Sequence, residues 1–95
     1  MKIGYVMVFG KMKMNIDLPP RSMVEAWHSA SKRITELAGK YGLKVLLLGG
    51  PLGMSEDVVV VFEVGGSIDG YLEFKEETFS QLPFTDMRTH PIVVP

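Results

Sequence analysis

Apolar residues fall along this chain in two rhythms, and the rhythm changes several times. From Lys2 to about Met12 the run KIGYVMVFGKM is rich in β-branched and aromatic residues and reads as a strand. A polar turn follows at Asn15–Asp17, and Pro19 and Pro20 then suit the first turn of a helix. Met23, Trp27, Ala30, Ile34, Leu37, Ala38 and Tyr41 recur at spacings of three and four, which places them on one helical stripe. Gly42 stands where that helix needs a left-handed residue to end.

Lys44 to Leu48 predicts a second strand, and Asp57 to Val64, with four consecutive valines, a third. Ser67 can cap a second helix, whose expected buried stripe is Ile68, Tyr71, Leu72, Phe79 and Leu82, with Pro83 closing the segment. Phe74 falls off that stripe, which predicts burial at an edge or a further contact between dimers. Arg88 to Val94 predicts a last strand, interrupted by Pro91.

The order strand, helix, strand, strand, helix, strand predicts an α+β fold of ferredoxin-like βαββαβ type. Its four-stranded antiparallel sheet carries both helices on one face, with the first and third strands central. Pro91 agrees with an edge, because proline cannot donate to a central ladder. With 95 residues, the pattern describes one domain from residue 1 to 95.

The stretch GGPLG, Gly49 to Gly53, invites comparison with phosphate-binding loops. Such a loop needs a following helix to aim backbone amides, and usually a lysine and a hydroxyl residue. Here the required second glycine falls on Met54, no lysine follows, and the next element is the strand VVVVF. The expectation is a turn joining strands two and three.

A sheet with one wet face should alternate apolar and polar residues. These strands do not. Ile3, Tyr5, Met7 and Phe9 oppose Val6, Val8 and Met12; Val45 and Leu47 oppose Leu46 and Leu48; Val58, Val60 and Phe62 oppose Val59 and Val61; Ile92 and Val94 oppose Val93. Both faces are apolar, yet the helices cover one. Packing against the sheet of a second copy is the simplest cover for the other.

Composition supports a hidden surface: 46% of residues are hydrophobic and mean hydropathy is +0.18, generous for so short a chain. The net charge of -1, without a basic block, argues against nucleic acid as a partner. No apolar run approaches the roughly 18–20 residues that span a bilayer, so no membrane partner is expected. The first residues read as a strand rather than a leader, lysines returning at Lys11 and Lys13. With no cysteine, neither disulfides nor thiol chemistry arises, and a cytoplasmic location is the default expectation.

In its element order and two-sided strands, the whole chain resembles the dimeric α+β barrel proteins, in which two ferredoxin-like subunits join through their sheets. The helix exit "YGLKVL" and the ending "THPIVVP" are similar to those of short members without a defined role. The resemblance implies a homodimer. Other members of the group are cofactor-independent monooxygenases, haem-degrading enzymes, small isomerases and ligand-binding domains of regulators, and fold alone does not choose among them.

Four residues are candidates for binding a ligand: Tyr5, Trp27, Arg88 and His90. Trp27 sits on the apolar stripe, either as core or as the wall of a pocket between helix and sheet. Arg88 and His90 share a strand face, with Tyr5 expected on the neighbouring strand. They form either a solvated edge or a cationic rim for an acidic or phenolic ligand, where an imidazole can move a proton near neutral pH. His28, about 100° round the helix from the stripe, is expected to be exposed. Asn15, Trp27 and His28 supply the residue types that the haem-degrading relatives use, but adjacent helical residues do not face one another, so that arrangement is not carried over. Glu73, Glu76 and Glu77 read as a solvated helix face. Two histidines without cysteine give no zinc spacing, and no cofactor is expected.

Three functions remain open from the sequence. The first is a homodimer binding a small apolar or acidic molecule between helices and sheet. The second is a cofactor-independent monooxygenase or isomerase, and the third a purely structural oligomer.

Overall fold

The computed structural model describes residues 2–12, 20–78 and 84–95, without the side chains of residues 12, 20–24, 26 and 27. The strand β1 (Lys2–Met12) leads to α1 (Pro20–Gly39) and β2 (Lys44–Gly49). Then come β3 (Val58–Gly66), α2 (Asp69–Thr78) and β4 (Phe84–Val94). All pairings are antiparallel and the sheet order is β2-β3-β1-β4, so β1 and β3 are central as the pattern predicts. Pro91 lies in the edge strand β4.

The local signals act where expected. The amide of Leu43 donates to the Ala38 carbonyl at 3.0 Å and that of Gly42 to Gly39 at 3.4 Å, the paired bonds that close a helix around a left-handed residue. Gly42 supplies that conformation with φ 72°. Leu43, just beyond, is buried against the core. At the start of α2 the Asp69 amide donates to Ser67 Oγ at 3.2 Å, so Ser67 caps the helix. The segment 50–57 joins two adjacent antiparallel strands, with Gly53 at φ 75°; GGPLG is a turn.

One face of the sheet builds the core. Val6 and Val8 of β1 and Val58, Val60, Phe62 and Val64 of β3 pack with Ala30, Ile34 and Ala38 of α1 and with Tyr71 and Phe74 of α2. Phe62, Tyr71 and Phe74 form an aromatic cluster, the Phe62 and Phe74 rings lying 5.3 Å apart. The Tyr71 hydroxyl reaches Thr89 Oγ1 at 2.8 Å and ties α2 to β4.

Several details correct the sequence reading. Phe74 is fully buried, while Leu72, expected inside, is about half exposed. The inward positions of α2 are Tyr71, Phe74 and Thr78, spaced by three and four. Thr78 satisfies its hydroxyl on the Phe74 carbonyl. Phe79 and Leu82, expected to continue the stripe, lie outside the described residues, as do Asn15 and Pro83. The strand β4 starts at Phe84 rather than Arg88. A register shift, with Asp86 at φ 53°, hides the first residues from a period-two reading. A shift between Val45 and Leu47 turns both Val45 and Leu48 to the core, and a shift after Ile3 brings that residue to the core instead of the Tyr5 side.

Candidate functional site

The face turned away from the helices can be written out from the strand register. Residues opposite one another in a ladder share a face, and so do residues two apart. One row crosses Gly49, Val59, Phe9 and Arg88 from β2 to β4. The next crosses Leu47, Val61, Met7 and His90, and the third Lys44, Glu63, Tyr5 and Ile92. The middle of this face is apolar. Charge stands at the corners and rim: Arg88 and His90 on the β4 side, Lys44 and Glu63 diagonally across. Leu47 is 54% exposed, and Tyr5, Met7, Phe9 and Val61 are half-buried.

Phe9 organises the β4 side. The Arg88 guanidinium carbon lies 5.2 Å from its ring centroid, close enough for a cation–π contact. The His90 ring stands edge-on to the same ring, centroids 5.7 Å apart. Arg88 also donates to Glu56 across 2.9 Å. Glu56 comes from the β2–β3 turn, so this turn delivers a carboxylate across the end of the sheet to the edge strand. A hydrogen bond from its own backbone amide holds Glu56 below the ordinary carboxylate range. Burial opposes that, and the Arg88 charge and a hydrogen bond from Ser55 add to it.

Tyr5, Arg88 and His90 therefore share one face, but Tyr5 stands opposite Ile92, two positions along from His90. Trp27 belongs by its backbone to α1, which covers the other face; its side chain lies outside the described residues. The structure divides the four candidates between two sides of the sheet, so one pocket between helix and sheet does not take all four. Part of the space between α2 and the sheet is filled by Phe62, Tyr71 and Phe74. His28 is exposed, as expected. Glu73, Glu76 and Glu77 are exposed too, and the Glu77 carboxylate accepts the Tyr41 hydroxyl. Among the described residues no group of three or more His, Asp or Glu is placed to hold a metal ion. No helix among them is long and apolar enough to cross a membrane.

Sequence reasoning missed Phe9 and Glu56. Phe9 was within reach, as the period-two companion of Tyr5 and Met7. Glu56 was not, because nothing local says which strand end a turn residue will face.

No family model matches the chain, and no curated protein does. The fold is similar to the crystal structure of a protein of unknown function from Rhodopseudomonas palustris. The TM-score is 0.56 at 16% identity, over 99% of this chain and 85% of that one. At that identity the likeness concerns the fold, and it agrees with a ferredoxin-like α+β arrangement.

Proposed function

We propose that the chain works as a homodimer, two sheets facing each other through the face that its own helices leave open, in the manner of the dimeric α+β barrels. The observation that carries this reading is the apolar centre of that face: Leu47, Val61, Tyr5, Met7 and Phe9 on three adjacent strands. A small domain that kept such a patch in water would be prone to aggregate. Covering several apolar side chains at about 1 kcal/mol each, a partial-burial discount on the transfer value, supplies several kcal/mol. Association entropy and side-chain ordering offset part of it.

The ligand reading narrows within this frame. Trp27 is the candidate left on the helix side, for an apolar molecule between α1 and the sheet. Arg88 already has Glu56 as counter-ion, so an acidic molecule would have to displace a carboxylate fixed on the same chain. This favours self-association over anion capture as the role of the open face. The enzymatic alternatives rest on fold-level likeness and gain no residue from the geometry.

Small-angle X-ray scattering tests the proposal. The Cα radius of gyration of one copy is 13.5 Å. A clearly larger radius and twice the forward scattering are expected at micromolar concentration. A radius and forward scattering that fit one copy would reject it.

A further inference from the structure

An irregularity in β4 brings a cation onto the open face. Phe84 and Met87 both turn to the core, which their spacing of three does not allow in a regular strand. The register resolves this. Lys11 stands opposite Thr85 and Phe9 opposite Arg88, so Asp86 and Met87 together face Gly10. The result is a β-bulge whose first residue, Asp86, is left-handed at φ 53°. Gly10 admits it, because a Cβ at that position would fall on Met87 Sδ. A regular strand continued from Phe84 would turn Arg88 towards the helices. With the extra residue, the guanidinium carbon lies 5.2 Å from the centroid of the Phe9 ring on the opposite face.

Phe9 belongs to the apolar centre of the open face, so whatever covers its ring also covers the guanidinium above it. A guanidinium taken out of water without a counter-ion is costly. The strand ladder supplies none. Of the residues in the three rows only Glu63 is acidic, and it stands opposite Lys44 in its own sheet. The counter-ion comes from outside the rows: Glu56 of the β2–β3 turn, 2.9 Å from Arg88. The middle of that turn stands in water, with Leu52 97% exposed, yet the Glu56 side chain is only 14% exposed. The Asp57 amide donates to the Gly10 carbonyl at 2.8 Å and fixes the exit of the turn against β1, beside the bulge.

Resting on the homodimer reading, we propose that Glu56 is the residue that permits this face to associate. It neutralises Arg88 in advance, so that Phe9 and the cation on its ring can be covered together by a second copy of this chain. The β2–β3 turn thereby controls self-association from outside the contact rows. The inference holds for any mutual orientation of the two copies that covers Phe9.

Sedimentation equilibrium on the full chain tests this, with circular dichroism to confirm that each variant is folded. Glu56→Gln leaves the guanidinium without its counter-ion and should raise the dissociation constant roughly tenfold or more. Adding Arg88→Met to Glu56→Gln removes the charge itself and should recover most of that loss. The recovery separates control of association from a purely structural role of the ion pair, because the double variant has no ion pair to hold the turn. A dimer whose dissociation constant Glu56→Gln leaves unchanged would overturn the proposal and leave the homodimer standing. A loss that Arg88→Met does not recover would do the same. Should Glu56→Gln alone unfold, the double variant decides: a folded dimer supports the proposal and any other result overturns it. A single copy for the unmodified chain would overturn both this proposal and the homodimer.

Discussion

Arg88 of the edge strand β4 is held by Glu56 of the β2–β3 turn at 2.9 Å, across the end of a sheet in which β1 stands between β3 and β4. The turn that resembles a phosphate loop in composition thus carries an anion of its own. Glu56 titrates below its ordinary value, so its contribution is present above the unfolded-state carboxylate pKa of roughly 4.3. It is lost as pH falls through the lower native value. Glu56→Gln should lower stability near neutrality and flatten the acid limb of the stability–pH curve, the two proteins converging at low pH. Urea unfolding at a series of pH values checks this; an identical acid limb in both proteins would contradict it.

A second prediction concerns the turn as a turn. With its own carboxylate beside it and a strand rather than a helix after it, GGPLG should not bind ATP or GTP at millimolar concentration. Calorimetric titration should show no saturable heat. Binding that disappears when Gly50 and Gly53 are both changed to valine would contradict the assignment.

The register separates two neighbouring valines that the sequence could not tell apart. Val60 is 2% exposed and faces the helices, whereas Val61 lies on the open face. Val60→Lys buries an unpaired ammonium and should cost about 4 kcal/mol or more, enough to unfold a domain of this size. Val61→Lys should keep the circular dichroism of the native fold and lose the dimer. Val59→Lys, on the same side of the sheet but with Val59 only 9% exposed in a single copy, should also cost stability, though less than Val60→Lys. Equal unfolding by all three would show that the two faces are not distinct.

Within α2, Phe74→Ala should destabilise by about 3–5 kcal/mol, while Leu72→Ala should stay within about 0.5 kcal/mol. Tyr71→Phe leaves Thr89 Oγ1 without its partner and should cost about 1–2 kcal/mol. Burial raises the Tyr71 pKa, the Thr89 hydrogen bond working the other way. Its contribution is therefore complete below the unfolded-state value of roughly 10, and is lost as pH rises through the higher native value. The alkaline limb should be shallower in Tyr71→Phe. Chemical denaturation at neutral and alkaline pH reads all three variants.

The element order was legible because each boundary carried its own short-range signal. Gly42 ended a helix, Ser67 began one, and Pro91 marked an edge. Which residues share a face was legible only where strands alternate without interruption, as from Val58 to Phe62. Register shifts at Gly4, Leu46 and Asp86 depend on the neighbouring strand, so Ile3, Val45 and the start of β4 were misplaced. Phe74 was placed at an edge rather than among the inward positions Tyr71, Phe74 and Thr78 because the stripe was drawn through Leu72. The site was half legible. Arg88 and His90 were found together, but Phe9 beneath them and Glu56 beside them depend on contacts between strands and across a turn.

The central claim is that the open face is covered by a second copy. Size-exclusion chromatography with in-line light scattering, run on the unmodified chain from high to low micromolar concentration, measures this directly. One copy has a mass of 10.6 kDa. The account predicts a monodisperse species of twice that mass which Val61→Lys converts to a single copy. A monodisperse single copy for the unmodified chain throughout that range would contradict it.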